Sequence, residues 1–192
     1  MMGHRDSKFD ITDLIEHLNI FCLIKNLHCL EIKNVYSTKG AIHYLTKEEI
    51  NNHTNYLISR LKAGKEYFLL ILGGPTKHYD YSDNNILNIF NLFNDLVEKN
   101  DLQGIVIPSI RTPKNIIDLA KNKLNQKSIV IDTTDKKAYL SALSLAKYIA
   151  ITCDSTSMIS EAALTGKPIY VADIPTKKND QRFQKLKKHF NQ

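Results

Sequence analysis

At 192 residues the chain has room for one complete domain of about 140 residues and an additional segment, which excludes two full domains. Its 43% hydrophobic and 24% charged residues are an ordinary globular composition, able to bury a core. The formal charge of +6 does not mark a nucleic-acid reader, because Lys177, Lys178, Arg182, Lys185, Lys187 and Lys188 face only Asp180 in residues 177–192, so most of the excess is one tail.

The first ten residues are charged, and the apolar run Leu18 to Ile24 is far shorter than the ~20 residues a bilayer span needs, so no membrane span is expected. Cys22, Cys29 and Cys153 are an odd set without metal spacing and fit a reduced, cytoplasmic chain. The histidines lack ligand spacing; no metal and no cofactor are expected. Residues 1–46 hold apolar pieces at Phe9 to Ile15 and Phe21 to Leu30, then a strand-like run from Asn34 into Gly40. They are too few for a doubly wound domain and read as the remnant of an N-terminal α/β domain.

From Thr46 the pattern is regular. Thr46-Lys47-Glu48-Glu49 resembles a capping box opening a helix to about Lys62, and Gly64 closes it. Tyr67 to Leu72 is an apolar central strand that runs into Gly73-Gly74-Pro75-Thr76-Lys77, where paired glycines let backbone amides approach a ligand and Thr76 adds a donor. Ser82 to Lys99 is an amphipathic helix. Residues 105–108 form the next strand, followed by Ser109-Ile110-Arg111-Thr112-Pro113, with Pro113 at the first helical position and Arg111 placed to clamp a phosphate. Strand 128–131, the cap Asp132-Thr133-Thr134-Asp135 and a helix through Leu145 lead to strand 148–152.

Residues 150–171 then read as strand, polar turn, helix, glycine break and strand, with the last strand at 168–171. Asp154, Ser155 and Ser157 suit the free amides of the first helical turn, and Gly166 ends the helix. Steps of about 100° per residue put Met158, Ile159, Ala162 and Ala163 on one arc and Ser157, Glu161 and Thr165 on another. A carboxylate beside serines at the carboxyl end of a strand suits ribose or sugar hydroxyls next to phosphate. An ordinary capped helix with a solvated Glu161 fits the same pattern. Regular βα alternation predicts a doubly wound parallel sheet of about five strands, Rossmann-like, over residues 47–176. Asp180 to Phe190 predicts a basic terminal helix within residues 177–192.

Four segments carry a family resemblance: Asn34 to Thr46; Gly73-Gly74-Pro75; Ser109-Ile110-Arg111-Thr112-Pro113; and Asp154 to Ala162 with Thr165-Gly166-Lys167-Pro168. Together they resemble the Elongated-Mitochondria mitochondrial-fission protein family, over about residues 30 to 189. Glu161-Ala162 before Gly166-Lys167-Pro168 is similar to the EA…G-x-P segment of GT-B glycosyltransferases. That resemblance implies a GT-B C-terminal-type domain in which Glu161 holds the ribose of a nucleotide-sugar donor. It further implies Ser155 and Ser157 as phosphate-side donors, with Gly73 and Gly74 lining the cleft; Asp154, Thr76 and Arg111 join the expected nucleotide-sugar site from the reading of their own turns.

Members of the family have a fuller N-terminal domain, so a protein carrying the missing half is an implied partner beside a nucleoside diphosphate or nucleotide sugar. No catalytic residue is assigned. His43 and His78 are the histidines near the expected cleft loops, and each reads more readily as a surface or hinge residue. Three readings remain open: a nucleotide-sugar-binding, glycosyltransferase-like domain; a non-catalytic recruitment protein, as the plant fission member is understood to be, touching membranes only peripherally; and a truncated inactive product.

Overall fold

The computed structural model describes residues 43–131 and 135–177, together with the backbone of a two-residue strand at Phe21–Cys22. The expected N-terminal pieces, the cap residues Asp132 to Thr134 and the basic terminal helix lie outside the described residues.

In chain order the elements are β1 (Phe21–Cys22), α1 (Lys47–Asn52), β2 (Tyr67–Leu72), α2 (Asp83–Lys99), β3 (Gln103–Pro108), α3 (Lys114–Lys123), β4 (Ser128–Val130), α4 (Lys136–Leu145), β5 (Tyr148–Thr152), α5 (Thr156–Ala163) and β6 (Ile169–Ala172). Strand order across the sheet is β1-β6-β5-β2-β3-β4. β2 to β6 are mutually parallel, and β1 is antiparallel to β6. This is the expected doubly wound parallel sheet, with one further edge strand that the periodicity of the sequence does not reveal.

The strands are written as unbroken apolar runs because helices cover both faces. Leu69, Leu70, Ile71 and Leu72 of β2, with Ile105 and Val106 of β3, are almost fully buried. α2 supplies Ile86, Phe90, Phe93 and Val97 to the same core at helical spacing. β3 begins two residues earlier than expected, at Gln103, a buried residue whose Oε1 accepts from the Lys62 amide at 2.7 Å.

The long helix expected to run to Lys62 is a correction. α1 stops at Asn52, and 3-10 turns follow at Thr54–Tyr56 and Ile58–Arg60. The polar run Asn51 to Asn55 explains the break, because its side chains take up backbone carbonyls a continuing helix would use. The His53 ring bonds the Glu49 carbonyl at 2.8 Å, and the Thr54 hydroxyl donates to the Asn51 carbonyl at 2.7 Å. Half of the expected capping box forms: Thr46 Oγ1 accepts from the Glu49 amide at 3.1 Å, while the Glu49 carboxylate turns to Lys136. Pro113 sits one position before the helix, as the N-cap residue of α3.

β2 pairs with β3 on one side and with β5 on the other, so chain direction across the sheet reverses between β2 and β5. In open parallel sheets the crevice at such a reversal, outside the carboxyl ends of the strands, is where ligands bind. Here that point is flanked by the Gly73-Gly74 turn after β2 and the Cys153 to Ser155 turn after β5.

Candidate functional site

At the reversal the two turns are locked together. Asp154 Oδ2 accepts from the Gly74 amide at 2.9 Å and from Arg111 Nη2 at 3.0 Å. The Asp154 side chain is 0% exposed and that of Arg111 is 41% exposed, so the carboxylate is buried and the guanidinium reaches solvent. Asp154 Oδ1 is buried with no hydrogen-bond partner. The Gly73 amide donates to Thr152 Oγ1 at 2.7 Å, and its carbonyl accepts from Thr112 Oγ1 at 2.6 Å and from Ser109 Oγ at 3.1 Å.

Both glycines are required by close approach. A Cβ on Gly73 would stand 2.0 Å from Asp154 Oδ2, and one on Gly74 would stand 2.2 Å from the Arg111 carbonyl oxygen. Of the predicted residues, Gly74, Arg111 and Asp154 therefore form one hydrogen-bonded unit, with Gly73 packed against Asp154. Thr76 does something local: its hydroxyl accepts from the His78 and Tyr79 amides and shapes the loop. That loop is tied to the segment after β6, through Asp80 N–H to Pro175 O at 2.7 Å and Lys177 N–H to His78 O at 2.8 Å.

The expectation that Asp154, Ser155 and Ser157 cap α5 is corrected. Ser155 is the N-cap residue with extended backbone, but no side-chain capping bond is made. Asp154 is occupied by Gly74 and Arg111, which is why it does not turn to the helix. The amides of the first turn are therefore left for another acceptor, at the positive end of the helix dipole.

Two adjoining cavities lie beside this unit. The smaller, 260 Å³, has an apolar lining of Ile71, Ile107, Pro108 and Met158, closed by Ser109, Asp135, Lys136, Tyr139 and Glu161. The larger, 480 Å³, is lined by His43, Tyr44, Leu45, Glu49, Lys136, Tyr139, Leu140, Ser157 and Glu161. Glu161, Tyr139 and Lys136 form the wall shared by both. Glu161 Oε2 accepts from the Tyr139 hydroxyl at 2.8 Å. Burial, with the Glu161 charge adding to it, pushes the Tyr139 phenol above its usual range, so it is a fixed donor at neutral pH.

Glu161 and Ser157, both predicted, are thus brought to the cavities. The walls of these two cavities do not include Gly73, Gly74, Thr76, Arg111, Asp154 or Ser155. Ser109 connects the two groups: it lines the smaller cavity and donates to the Gly73 carbonyl.

Lys136, Tyr139, Asp135 and Glu49 join the site although the sequence did not mark them for it. Asp135 caps α4, accepting from the Lys137 amide at 2.8 Å and from the Tyr56 hydroxyl at 2.5 Å. The Tyr56 bond holds its carboxyl below the usual range, helped by the Lys137 and Ala138 amides. Lys136 Nζ pairs with Glu49 Oε1 at 2.8 Å, bridging α4 and α1 across the mouth of the larger cavity. The available signal was the cap itself: a helix that starts at the carboxyl end of a strand aims its first-turn side chains at the crevice. Among the described residues no cluster of three or more metal-ligating side chains occurs, and no helix is long and apolar enough to cross a membrane.

Comparison with known proteins adds two findings. The model of a family described as "Mitochondrial fission ELM1" matches residues 10–192. A curated protein of Rickettsia prowazekii (strain Madrid E), described as "Uncharacterized protein RP120", is 26% identical over 166 residues, covering 81% of this chain and 45% of that protein. The chain therefore spans less than half the length of that relative.

Proposed function

Because this chain belongs to the mitochondrial fission ELM1 family, a name that specifies no chemistry, we propose from the site itself that it binds a nucleoside diphosphate, free or as the activating group of a sugar. The observation that carries this reading is the Glu161 carboxylate, held by Tyr139 on the wall between an apolar cavity and a polar one. A flat base fits the apolar slot between Ile71, Ile107, Pro108 and Met158. The ribose then meets Glu161, whose oxygens accept paired hydroxyls. The phosphates face the uncapped N-terminus of α5, with Ser155 and Ser157 beside it and the exposed part of Arg111 opposite. Such a scaffold is glycosyltransferase-like in what it holds, and no group-transfer step is assigned to it.

The test is a thermal-shift and calorimetric titration with uridine diphosphate and other nucleoside diphosphates. The expected result is stabilisation by at least one of them at millimolar ligand, lost in Glu161→Ala. Absence of any shift in the unaltered chain overturns the reading.

A further inference from the structure

We propose that the larger cavity is a saccharide subsite, in which Tyr44 provides a stacking face and Glu49 and Glu161 accept sugar hydroxyls. The inference rests on the nucleotide reading for its neighbour, since Glu161 serves both, but it is carried by residues the smaller cavity does not contain.

The first observation is Tyr44, a lining residue of the cavity that is 98% exposed. A whole aromatic face left in water beside a concavity suits a guest with an apolar face of its own, and a pyranose presents one in its axial C–H bonds, which the ring's negative face attracts. The second is the rim. Glu49 Oε1 is engaged by Lys136 and Glu161 Oε2 by Tyr139; among the bonds of the described residues the other oxygen of each is uncommitted. Ser157 is exposed beside them. His43 Nδ1 is buried and without a hydrogen-bond partner in the same wall.

Charge then discriminates among guests. Two carboxylates against one lysine disfavour a polyanion here, which separates this cavity from the phosphate side at α5 and Arg111. Lys136 already neutralises Glu49, so a bare cation is left with the Glu161 carboxylate, too few ligands for an ion site. A purely apolar guest would strand the uncommitted oxygens. A neutral, hydroxyl-rich ring satisfies them, and the 480 Å³ volume lies within the range of about 300–1,000 Å³ usual for small-molecule sites.

The experiment is saturation-transfer difference NMR on the full chain with N-acetylglucosamine and methyl α-D-glucopyranoside at millimolar concentration, for the unaltered protein, Tyr44→Ala and Glu49→Gln. Tyr44 is open to water and Glu49 is partly exposed, and thermal melting confirms the fold of each variant. The expected result is saturation of at least one sugar by the unaltered chain, weakened about fivefold in Tyr44→Ala and weakened in Glu49→Gln, while the uridine diphosphate response of Tyr44→Ala is unchanged. No transfer to either sugar, or transfer that Tyr44→Ala leaves intact, overturns the proposal. If nucleotides give no response but the sugars behave as stated, the nucleotide reading fails and the saccharide subsite stands.

Discussion

Gly73 and Asp154, 81 positions apart in the chain, touch so closely that a single added methyl on the glycine would lie 2.0 Å from Oδ2 and 2.4 Å from Cγ of the aspartate. The aspartate has no room to retreat, being buried and bonded to Gly74 and Arg111. Gly73→Ala is therefore expected to destabilise the fold by about 2–4 kcal/mol. Gly166→Ala, where a Cβ meets nothing within 4 Å but φ is +67°, should lose only about 1 kcal/mol. Urea unfolding of the two variants checks the ranking, and equal losses would contradict the close-packed turn.

Asp154→Ala removes the acceptor of one amide and one guanidinium. The Gly74 amide is left buried without its partner, whereas the exposed Arg111 turns to water, so the expected cost is about 2–3 kcal/mol, below that of breaking a fully buried pair. Because the carboxylate is out of solvent, raising salt should change this difference little. Denaturation midpoints at low and high sodium chloride measure it; a difference that vanishes in salt would place the pair on the surface.

Tyr139→Phe deletes the hydroxyl that fixes Glu161 and little else. The expected stability loss is about 1 kcal/mol. Under the proposed function the larger effect is on binding, with nucleoside diphosphate affinity down about fivefold to tenfold as the carboxylate loses its fixed orientation. Isothermal titration of the variant against Glu161→Gln decides whether the tyrosine acts through the glutamate: the double variant should then lose less than the sum of the singles.

Alkaline pH acts on the fold with two opposite signs. Burial lowers Lys167 from 10.5 to about 8; the unfolded chain binds its proton more tightly, so stability rises with pH from about 8 to 10.5. The gain is small, about a few tenths of a kcal/mol, because the side chain is only half-buried and its ammonium is bonded to the Leu143 and Ser144 carbonyls. Burial raises Cys153 from 9.0 to about 12 and raises Tyr81 and Tyr139 above 10.0. For these the folded state holds the proton more tightly, so the contribution is complete below pH 9 and lost as pH climbs, at up to ~1.4 kcal/mol per pH unit per group. Stability is expected to peak near pH 9 and fall steeply above 10. Urea titrations from pH 7 to 11 test this, and a shallower alkaline fall in Cys153→Ala is expected.

Much of the sheet is legible in the sequence because parallel strands buried on both faces leave runs such as Tyr67 to Leu72 and Tyr148 to Thr152, whereas a strand with one wet face must alternate. The expected length of α1 overshoots because apolar spacing at Leu57, Ile58 and Leu61 continues a helical pattern that the Asn51 to Asn55 side chains interrupt; competition for carbonyls leaves no mark in periodicity. The site is half legible. Glu161 and Ser157 can be placed because one helix carries both. Asp154 looks like a helix cap from its neighbours in the chain, since its bond to Gly74 depends on β2 lying next to β5, a neighbour relation that no local pattern encodes. Tyr139 looks like core, and its ring is largely buried; only its oxygen reaches out of that role.

The order of strands also bears on how the chain assembles. β2, β3 and β4 follow one another along the sequence and lie side by side, so half the sheet can zip up from nearby partners as synthesis proceeds. The other flank of β2 must wait for β5, whose first paired residue, Tyr148, lies 80 positions after Phe68. During that interval the most apolar ribbon of the protein has one side bare, a raw edge able to recruit strangers. A ribosome that pauses before residue 148 emerges therefore prolongs the exposure of that edge, and one that pauses after it does not.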